Sequence, residues 1–255
     1  MIEIVTHCFN PPGTDQYAQL LKWQLASLVN HPPVVDYRMT VFYCGNPKDK
    51  PLINTLDRFP NIRDLCTGLD WKFDFISMSR EELFRRAIGR NYRALKTEAD
   101  VIWFTDCDYL FGEGCLDSIH ELMDADSGLC IPETVKINVN HATGYAAIER
   151  ERENPLPQIV ESEFKVRKEK KAIGGIQLIG GNLARKIGYL KGTSWVEPVD
   201  ASKGFRSCRC DKVWRTHNNL SATRLPIKGV YRLRHVMDGR NFDALGNKGI
   251  DKENW

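Results

Sequence analysis

The sequence predicts an α/β fold with a mostly parallel central sheet and helices on both of its faces. Short apolar segments alternate with helix-periodic segments over roughly the first 130 residues, a pattern typical of such sheets. The most apolar of the short segments ends in acidic residues, as expected where a central parallel strand reaches the edge of a sheet. A chain of 255 residues is also long enough to bury one large core.

The first predicted unit is a strand followed by a loop and a helix. Residues 2–6 are largely apolar and indicate a buried strand, and residues 7–13 are rich in Asn, Pro and Gly, which favours a loop. From Tyr17 to Leu28, apolar side chains recur at helical spacing. The next predicted elements are a strand, a short helix and a strand, at residues 39–44, 52–59 and 73–77.

The helix that follows has a capping box at its start. Ser79 and Glu82 are spaced so that each side chain can accept a hydrogen bond from the other residue's backbone amide. We expect this helix to run to about residue 97. The central strand is predicted at residues 100–106, where an apolar segment stands between two aspartates.

Residues 132–171 show only weak periodicity, and we interpret them as an insertion or mobile loop. They end in a basic run at 165–171, which predicts a solvated loop or, alternatively, contact with an anionic acceptor. Because this run has no interleaved aromatic side chains, nucleic-acid binding is not favoured. After it, a strand flanked by glycine pairs and two helices are predicted at 173–178, 182–189 and 210–219.

The composition is that of a globular protein, with 42% hydrophobic and 27% charged residues. A formal net charge of +3 provides no strong overall field for nucleic acid or an anionic membrane. The mean hydropathy of −0.40 argues against an integral membrane protein. The first residues lack the features of a secretory signal, and the eight cysteines lack the spacing of a zinc site, so we expect a cytoplasmic protein with no transmembrane segment.

Asp106 and Asp108 follow the predicted central strand directly. Ligands of open α/β sheets bind at the carboxyl ends of the strands. In an extended chain, residues two apart face the same side, and at ~3.3 Å per residue their Cα atoms are about 6.6 Å apart. The two carboxylates could therefore bind one hard cation, Mg²⁺ or Mn²⁺. The alternative is a turn with two solvated acids.

Four segments stand in a characteristic order, at residues 89–111, 174–179, 187–190 and 210–215. They resemble the Arg-Asn helix with its hydrophobic strand and DxD motif, the glycine-pair strand, the "lGyld" segment and the "EDxxxxxR" helix of GT-A nucleotide-sugar glycosyltransferases, especially the large family-2 type. The chain has Cys210 where the family usually has Glu, and Tyr43-Cys44-Gly45 where it has an Asp that contacts the base. The resemblance is therefore to a divergent branch.

The resemblance implies a single Rossmann-like GT-A domain over residues 1–255. Its nucleotide-sugar-binding half would be residues 1–110, and its acceptor-binding half residues 111–255 with the variable loop 132–171. By the same resemblance, the donor would be bound by Thr6, His7, Arg90, Asn91, Asp106, Gly174 and Gly175.

The resemblance also implies a metal site and a catalytic base. Mn²⁺ or Mg²⁺ would be bound by Asp106, Asp108 and His235, with His217 as the reserve for the third position. Asp211 would be the general base that takes a proton from an acceptor hydroxyl, with inversion at the anomeric carbon.

Both Asn91 and Asp211 also have simpler interpretations. Asn91 falls within the apolar stripe of its predicted helix, where it needs a hydrogen-bond partner such as a neighbouring strand end. Asp211 and Arg215 are four residues apart, which by itself predicts an ion pair on one helix face, worth ~0.2–0.5 kcal/mol.

The leading hypothesis is a metal-dependent glycosyltransferase that uses a nucleoside diphosphate sugar, UDP-linked, and an acceptor that is a glycan, a lipid-linked sugar or a protein. An aspartate-nucleophile phosphatase also has Asp-x-Asp after an apolar strand, but there the motif stands near the N-terminus, whereas about a hundred residues of α/β chain precede Asp106 here. A catalytically silent nucleotide-sugar-binding module is the third hypothesis. Loss of the metal acids or the base would favour it, yet Asp106, Asp108 and Asp211 are all present.

Overall fold

The computed structural model describes residues 1–9, 15–44, 73–198 and 209–234. Elements in these ranges are numbered along the chain. The strands are β1 (Ile2–Cys8), β2 (Tyr37–Cys44), β3 (Phe73–Met78), β4 (Val101–Phe104), β5 (Tyr109–Phe111), β6 (Cys130–Pro132), β7 (Thr134–Asn138), β8 (Phe164–Lys168), β9 (Gln177–Gly180), β10 (Thr223–Leu225) and β11 (Val230–Arg232). The α-helices are α1 (Gln16–Asn30), α2 (Arg80–Leu83), α3 (Ala87–Lys96), α4 (Cys115–Leu122), α5 (His141–Arg150), α6 (Gly181–Ile187) and α7 (Cys210–His217).

A seven-stranded sheet in the order β10-β6-β9-β4-β1-β2-β3 forms the centre of the molecule. Strand β1 pairs in parallel with β2 and β4, with Ile2 opposite both Tyr37 and Val101. Strands β2 and β3 are also parallel, as are β10 and β6. Strand β9 runs antiparallel to its neighbours β4 and β6. The prediction of an α/β fold with a mostly parallel sheet is confirmed.

Strand β4 is buried along its whole length, because all four of its residues are apolar and it lies between β1 and β9. Trp103 is fully buried, and its indole nitrogen donates to the carbonyl oxygen of Gly175 at 3.2 Å. The carboxyl end of β4 is therefore rigidly held. The residues that follow it, from Thr105 to Asp108, are positioned by the core of the sheet.

A second sheet has the order β5-β11-β7-β8. Its strands β7 and β8 and the helix α5 all fall within residues 132–171, so the interpretation of this segment as a mobile loop is wrong for those elements. The buried residues Val135 and Ile137 face the core from a strand too short to show a clear sequence period. This sheet brings β11 alongside β5, which begins at the residue after Asp108.

The capping box is confirmed. The Glu82 amide donates to the Ser79 hydroxyl at 3.2 Å, and the Ser79 amide donates to the Glu82 carboxylate at 2.9 Å. The helix that begins there does not continue to residue 97: it ends as α2, and α3 starts with Arg86 as its N-cap. This break places Arg86 at the carboxyl end of the central strand β4, where it contacts Asp106.

Other predicted bounds differ by a few residues. Strand β9 begins later than predicted, after a turn in which the Ile176 amide donates to the Ile173 carbonyl at 3.1 Å. Helix α7 begins at Cys210, as expected. The helix predicted at residues 52–59 lies outside the described residues. Within the described ranges, no helix is both long and apolar enough to cross a membrane.

Candidate active site at the carboxyl end of the central sheet

The two aspartates lie in a turn between β4 and β5, at the carboxyl end of the sheet. The Tyr109 amide donates to the Asp106 carbonyl at 3.1 Å, which closes the turn. From helix α1, the Gln24 side-chain amide donates to the carbonyl oxygens of Asp106 and Tyr109 at 3.1 and 2.9 Å. The buried backbone of the turn is therefore satisfied, and its geometry is set by two neighbouring elements.

Asp106 binds two arginines of the α3 region. Its Oδ1 accepts from a terminal nitrogen of Arg86 and, at 3.2 Å, from Nη2 of Arg90. The side chains of Asp106 and Arg86 are each 17% exposed, whereas that of Arg90 is 0% exposed. Arg86, Arg90 and Asp106, called here the arginine cluster, place two positive charges and one negative charge at this end of β4.

Arg90 is held by the fold on every side. Its Nη2 donates to the carbonyl oxygens of Thr105 and Gly174 at 3.2 and 2.8 Å, and its Nη1 donates to the Tyr189 hydroxyl at 3.1 Å. The guanidinium also lies 5.8 Å from the centre of the Phe104 ring. Arg90 therefore joins strand β4 to the Gly174 loop and positions Asp106, without presenting a surface to solvent.

Asn91 contacts the chain segment that follows α6. Its Oδ1 accepts a hydrogen bond from the Tyr189 amide at 3.0 Å. Gly188 adopts a φ of 63°, and a Cβ at that position would lie 2.6 Å from the same Asn91 oxygen. The contact resembles the structural alternative for Asn91, with a turn in place of a strand end as the partner. Donor binding by Asn91 stays a prediction.

Gly174 and Gly175 precede β9, and a side chain at each would point to different neighbours. A Cβ at Gly175 would come within 2.2 Å of the Tyr109 ring, so only glycine fits there. A Cβ at Gly174 would lie 3.6 Å from Arg86 Nη2 and 3.8 Å from Asp106 Oδ2. Gly174 thus borders the arginine cluster, and no side chain of its own lies against it.

Thr6 and His7 are at the carboxyl end of β1, beside β4. Both are buried, and the Thr6 hydroxyl and both His7 ring nitrogens have no hydrogen-bond partner among the described residues. The His7 ring stacks on Phe42 with a centroid distance of 4.9 Å. Burial, together with the positive charges of Arg90 and Arg86, lowers the pKa of His7 well below 6.5. Buried polar atoms are normally hydrogen-bonded, so these atoms at the end of β1 are candidates for contact with a ligand.

We expect the stability of the protein to fall as the pH is lowered below 6.5, because of His7. The folded state keeps the imidazole neutral, whereas the unfolded chain takes up a proton at the ordinary pKa. One such proton changes the free energy of unfolding by up to about 1.4 kcal/mol per pH unit. Urea denaturation of the wild type and His7→Gln between pH 7 and 5 measures this difference. A wild-type-minus-variant difference that does not change with pH would contradict the prediction.

Asp108 points to a different partner from Asp106. Its side chain is 3% exposed, and its Oδ2 accepts from Nε of Arg232 at 2.9 Å. Its carbonyl oxygen accepts from the Leu233 amide at 2.8 Å. The charge of Asp108 raises the pKa of Arg232 above its usual range. The end of β11 is therefore fastened to the turn that carries both aspartates.

The predicted metal ligands are only partly described. His235 lies outside the described residues, and His217 is exposed at the last position of α7. Within the described ranges, no group of three His, Cys, Asp or Glu side chains could hold a metal ion. Because Asp106 and Asp108 each bind arginine, the residues that the structure shows do not fit a divalent cation in this arrangement.

Helix α7, which carries Asp211, packs against Tyr189, a hydrogen-bond partner of Arg90. Trp214 stacks on Tyr189 at a centroid distance of 4.5 Å and donates from its indole nitrogen to the Gly188 carbonyl at 2.9 Å. Asp211 is half-buried in the first turn of this helix. The described residues include no ion pair between Asp211 and Arg215, so the simpler interpretation of this spacing has no contact to support it.

No protein-family model and no curated protein matches the chain. Solved structures do match it. The mannosyltransferase PcManGT from Pyrobaculum calidifontis, in complex with GDP-Man and Mn²⁺, matches at 13% identity and a TM-score of 0.50, over 91% of this chain and 56% of that one. S. aureus TarS 1–349 matches at 11% identity and 0.52, over 91% and 60%. GalNAc-T7 with UDP, GalNAc and Mn²⁺ matches at 11% identity and 0.52, over 93% and 44%.

These matched structures are GT-A glycosyltransferases. The chain has the GT-A fold. It spans between 44% and 60% of the length of these three proteins. The predicted Rossmann-like GT-A class is confirmed, and the roles of individual residues rest on the geometry of this chain.

Within the GT-A fold of this chain, the sequence analysis missed three residues of the site. These are Arg86, which binds Asp106; Tyr189, whose hydroxyl accepts from Arg90 and donates to Gln177 at 3.0 Å; and Arg232, which binds Asp108. Arg86 had a usable signal, because it precedes Arg90 by four residues and so shares its helix face. Tyr189 lies in the segment 187–190 that carries the resemblance, but its partners are distant in the chain, and Arg232 left no local signal.

Proposed function

We propose that this protein is a glycosyltransferase that transfers a sugar from a nucleoside diphosphate sugar to an acceptor hydroxyl. The observation that carries the proposal is the cluster of Asp106 and its two arginines at the carboxyl end of a GT-A sheet, with Asp211 on a helix that packs against Tyr189, a partner of Arg90. The matched GT-A glycosyltransferases support the reaction class, and two of them hold GDP-Man or UDP. We propose a UDP-linked donor, and a glycan, a lipid-linked sugar or a protein as the acceptor.

The donor would lie across the ends of β1 and β4. There, Thr6 and His7 offer polar atoms without partners among the described residues, and Asp106 can accept from a ribose or sugar hydroxyl. Gly174 lets the donor approach the cluster because no side chain covers it. Arg90 holds the Gly174 loop in position through its hydrogen bond to the Gly174 carbonyl. We propose that Asn91 and Gly175 also support the donor site, through their contacts with Tyr189 and Tyr109.

Asp211 would act as the general base. The acceptor oxygen attacks the anomeric carbon, its proton passes to the Asp211 carboxylate, and the bond from that carbon to the diphosphate oxygen breaks. The electron pair of that bond leaves with the nucleoside diphosphate. Attack opposite the leaving group inverts the anomeric carbon. A base positioned in this way contributes roughly 10²–10⁴-fold to the rate.

Metal dependence is a separate part of the proposal. The resemblance assigns Mn²⁺ or Mg²⁺ to Asp106, Asp108 and His235, and two matched structures hold Mn²⁺. In this chain, arginines bind both aspartates, so a cation would have to compete with them for the same oxygens. Donor binding must therefore be measured both with Mn²⁺ and with a chelator.

The phosphatase hypothesis gains no support from the site. Its nucleophile would be Asp106, the first aspartate of the motif, but two arginines bind the Oδ1 of this residue. The silent binding module remains the alternative that shares the donor site. Donor binding without any transfer or hydrolysis would favour it.

We expect a nucleoside diphosphate sugar to raise the melting temperature of the protein. A ligand that binds only the folded state at about 100 times its Kd adds ~2.7 kcal/mol of stability. Thermal-shift screening of UDP- and GDP-sugars, each with Mn²⁺ and with EDTA, measures this effect and the metal requirement together. Release of the nucleoside diphosphate in the presence of glycans then tests catalysis. The proposed function fails if no nucleoside diphosphate sugar shifts the melting temperature under any of these conditions.

A further inference from the structure

We propose that Arg86 binds the diphosphate of the donor. When the donor enters, Arg86 releases its contact with Asp106 and donates to the diphosphate oxygens instead. The inference rests on the proposed function and assigns to one residue of this chain the recognition of the charged part of the substrate. It concerns a residue that neither the motif resemblance nor the matched structures identify.

The first argument is accessibility. Arg86 and Arg90 bind the same Asp106 oxygen, yet their side chains differ in exposure, at 17% and 0%. Arg90 donates to three further acceptors that belong to the fold, on Thr105, Gly174 and Tyr189. Moving Arg90 onto a ligand would break these bonds inside the core. Arg86, at the N-cap of α3, is the guanidinium of the cluster that solvent and a ligand can reach.

The second argument is charge. Two guanidinium groups face one carboxylate in the arginine cluster, and the neighbouring His7 is neutral. The first turn of α3 contains no acidic residue, so the positive end of this helix adds to the same field. Asp108, the second carboxylate of the same turn, is bound by Arg232. A positive, partly buried cluster favours an anion, and the planar guanidinium fork matches phosphate oxygens in two parallel hydrogen bonds.

The third argument is the space around Arg86. A Cβ at Gly174 would lie 3.6 Å from Arg86 Nη2, which is ordinary contact, so the space of one methyl group adjoins the guanidinium. On the β1 side, both nitrogens of the buried His7 ring have no hydrogen-bond partner within the described residues. A Cβ at Gly89 would lie 2.5 Å from His7 Nε2, so the end of β1 adjoins α3, the helix that Arg86 caps. A ligand that contacts Arg86 therefore lies next to the end of β1.

The test compares the binding of UDP with that of uridine, and of GDP with that of guanosine, by isothermal titration calorimetry with EDTA and with Mn²⁺. The diphosphate should strengthen binding by the wild type. In Arg86→Gln, we expect the ratio of the affinity for the nucleoside diphosphate to the affinity for the nucleoside to fall at least about tenfold, since a hydrogen-bonded charge pair is lost. Arg85→Gln is the matched control. Arg85 is the preceding residue and carries the same charge, but its guanidinium lies 5.0 Å over the Trp195 ring, so its ratio should equal that of the wild type.

Arg86→Lys keeps the charge but loses the fork, and its ratio should lie between those of the wild type and Arg86→Gln. If Arg86→Gln does not fold, Arg86→Lys decides the question by the same ratio. If a folded Arg86 variant has the same ratio of diphosphate to nucleoside affinity as the wild type, the proposal for Arg86 is overturned and the proposed function stands. The same conclusion follows if this ratio changes with Mn²⁺ but not with the Arg86 substitution. A wild type that binds no nucleoside diphosphate under either condition would overturn both.

Discussion

Asp108→Ala is expected to lower the free energy of unfolding by about 3 kcal/mol, because it leaves the Arg232 charge without its buried partner. Asp108 is 3% exposed and Arg232 23% exposed, and their contact at 2.9 Å joins β11 to the turn after β4. The partial exposure of Arg232 places the cost at the low end of the range for buried pairs. Chemical denaturation of the metal-free protein measures it. If Asp108 acts only as a metal ligand, the metal-free stability will not change.

The control for this prediction is a double variant. Combining Asp108→Ala with Arg232→Met removes both charges and keeps most of the packing of Arg232 against Tyr109, over whose ring its guanidinium lies at 5.2 Å. We expect the double variant to recover at least half of the lost stability, since an apolar pair often replaces a buried ion pair at little cost. If the two substitutions destabilise the protein additively, the ion pair does not hold β11 in place.

Asp211→Asn is expected to reduce sugar transfer by roughly 10²–10⁴-fold while donor binding survives. The amide keeps the shape of the side chain but cannot accept the proton from the acceptor hydroxyl. Since Asp211 lies on a helix fastened to Tyr189 by Trp214, the substitution should leave the fold intact. Steady-state rates with a saturating donor, and titration of the donor in the absence of an acceptor, measure the two effects separately.

Arg215→Gln is the control for Asp211. If the pair acted only as a surface ion pair, both substitutions would change stability slightly and neither would change transfer. We expect the Arg215 variant to transfer at the wild-type rate, because the described residues contain no ion pair between the two side chains. NMR of the product provides a further test. Retention of the anomeric configuration, or wild-type transfer by Asp211→Asn, would remove Asp211 from the role of base.

Local features of the site could be predicted from the sequence. The apolar run Val101–Phe104 and the aspartates after it identify a central strand and its carboxyl end without reference to any other part of the chain. The Ser79 capping box could likewise be predicted, because it depends only on two residues three positions apart. The structure contains both of its hydrogen bonds. The start of α7 at Cys210 was also predicted correctly.

Contacts between distant segments could not be predicted in this way. The Asp108–Arg232 bond joins residues 124 positions apart, and the bond from Tyr189 to Asn91 spans 98. Periodicity reports only which side chains share one face of a helix or strand, and it is silent on what lies against that face. For the same reason β7 and β8 were missed: each is five residues long and is stabilised by pairing rather than by its own pattern.

The sequence by itself determined the α/β class, the order of the main elements and the position of two aspartates at the end of β4, because apolar patterning and capping act over a few residues. Only the tertiary structure decided what those aspartates bind. Asp106 meets Arg86 because the helix breaks before α3, and Asp108 meets Arg232 because a second sheet brings β11 to the turn. Burying these carboxylates requires a partner of opposite charge, and packing of remote segments determines which partner is within reach.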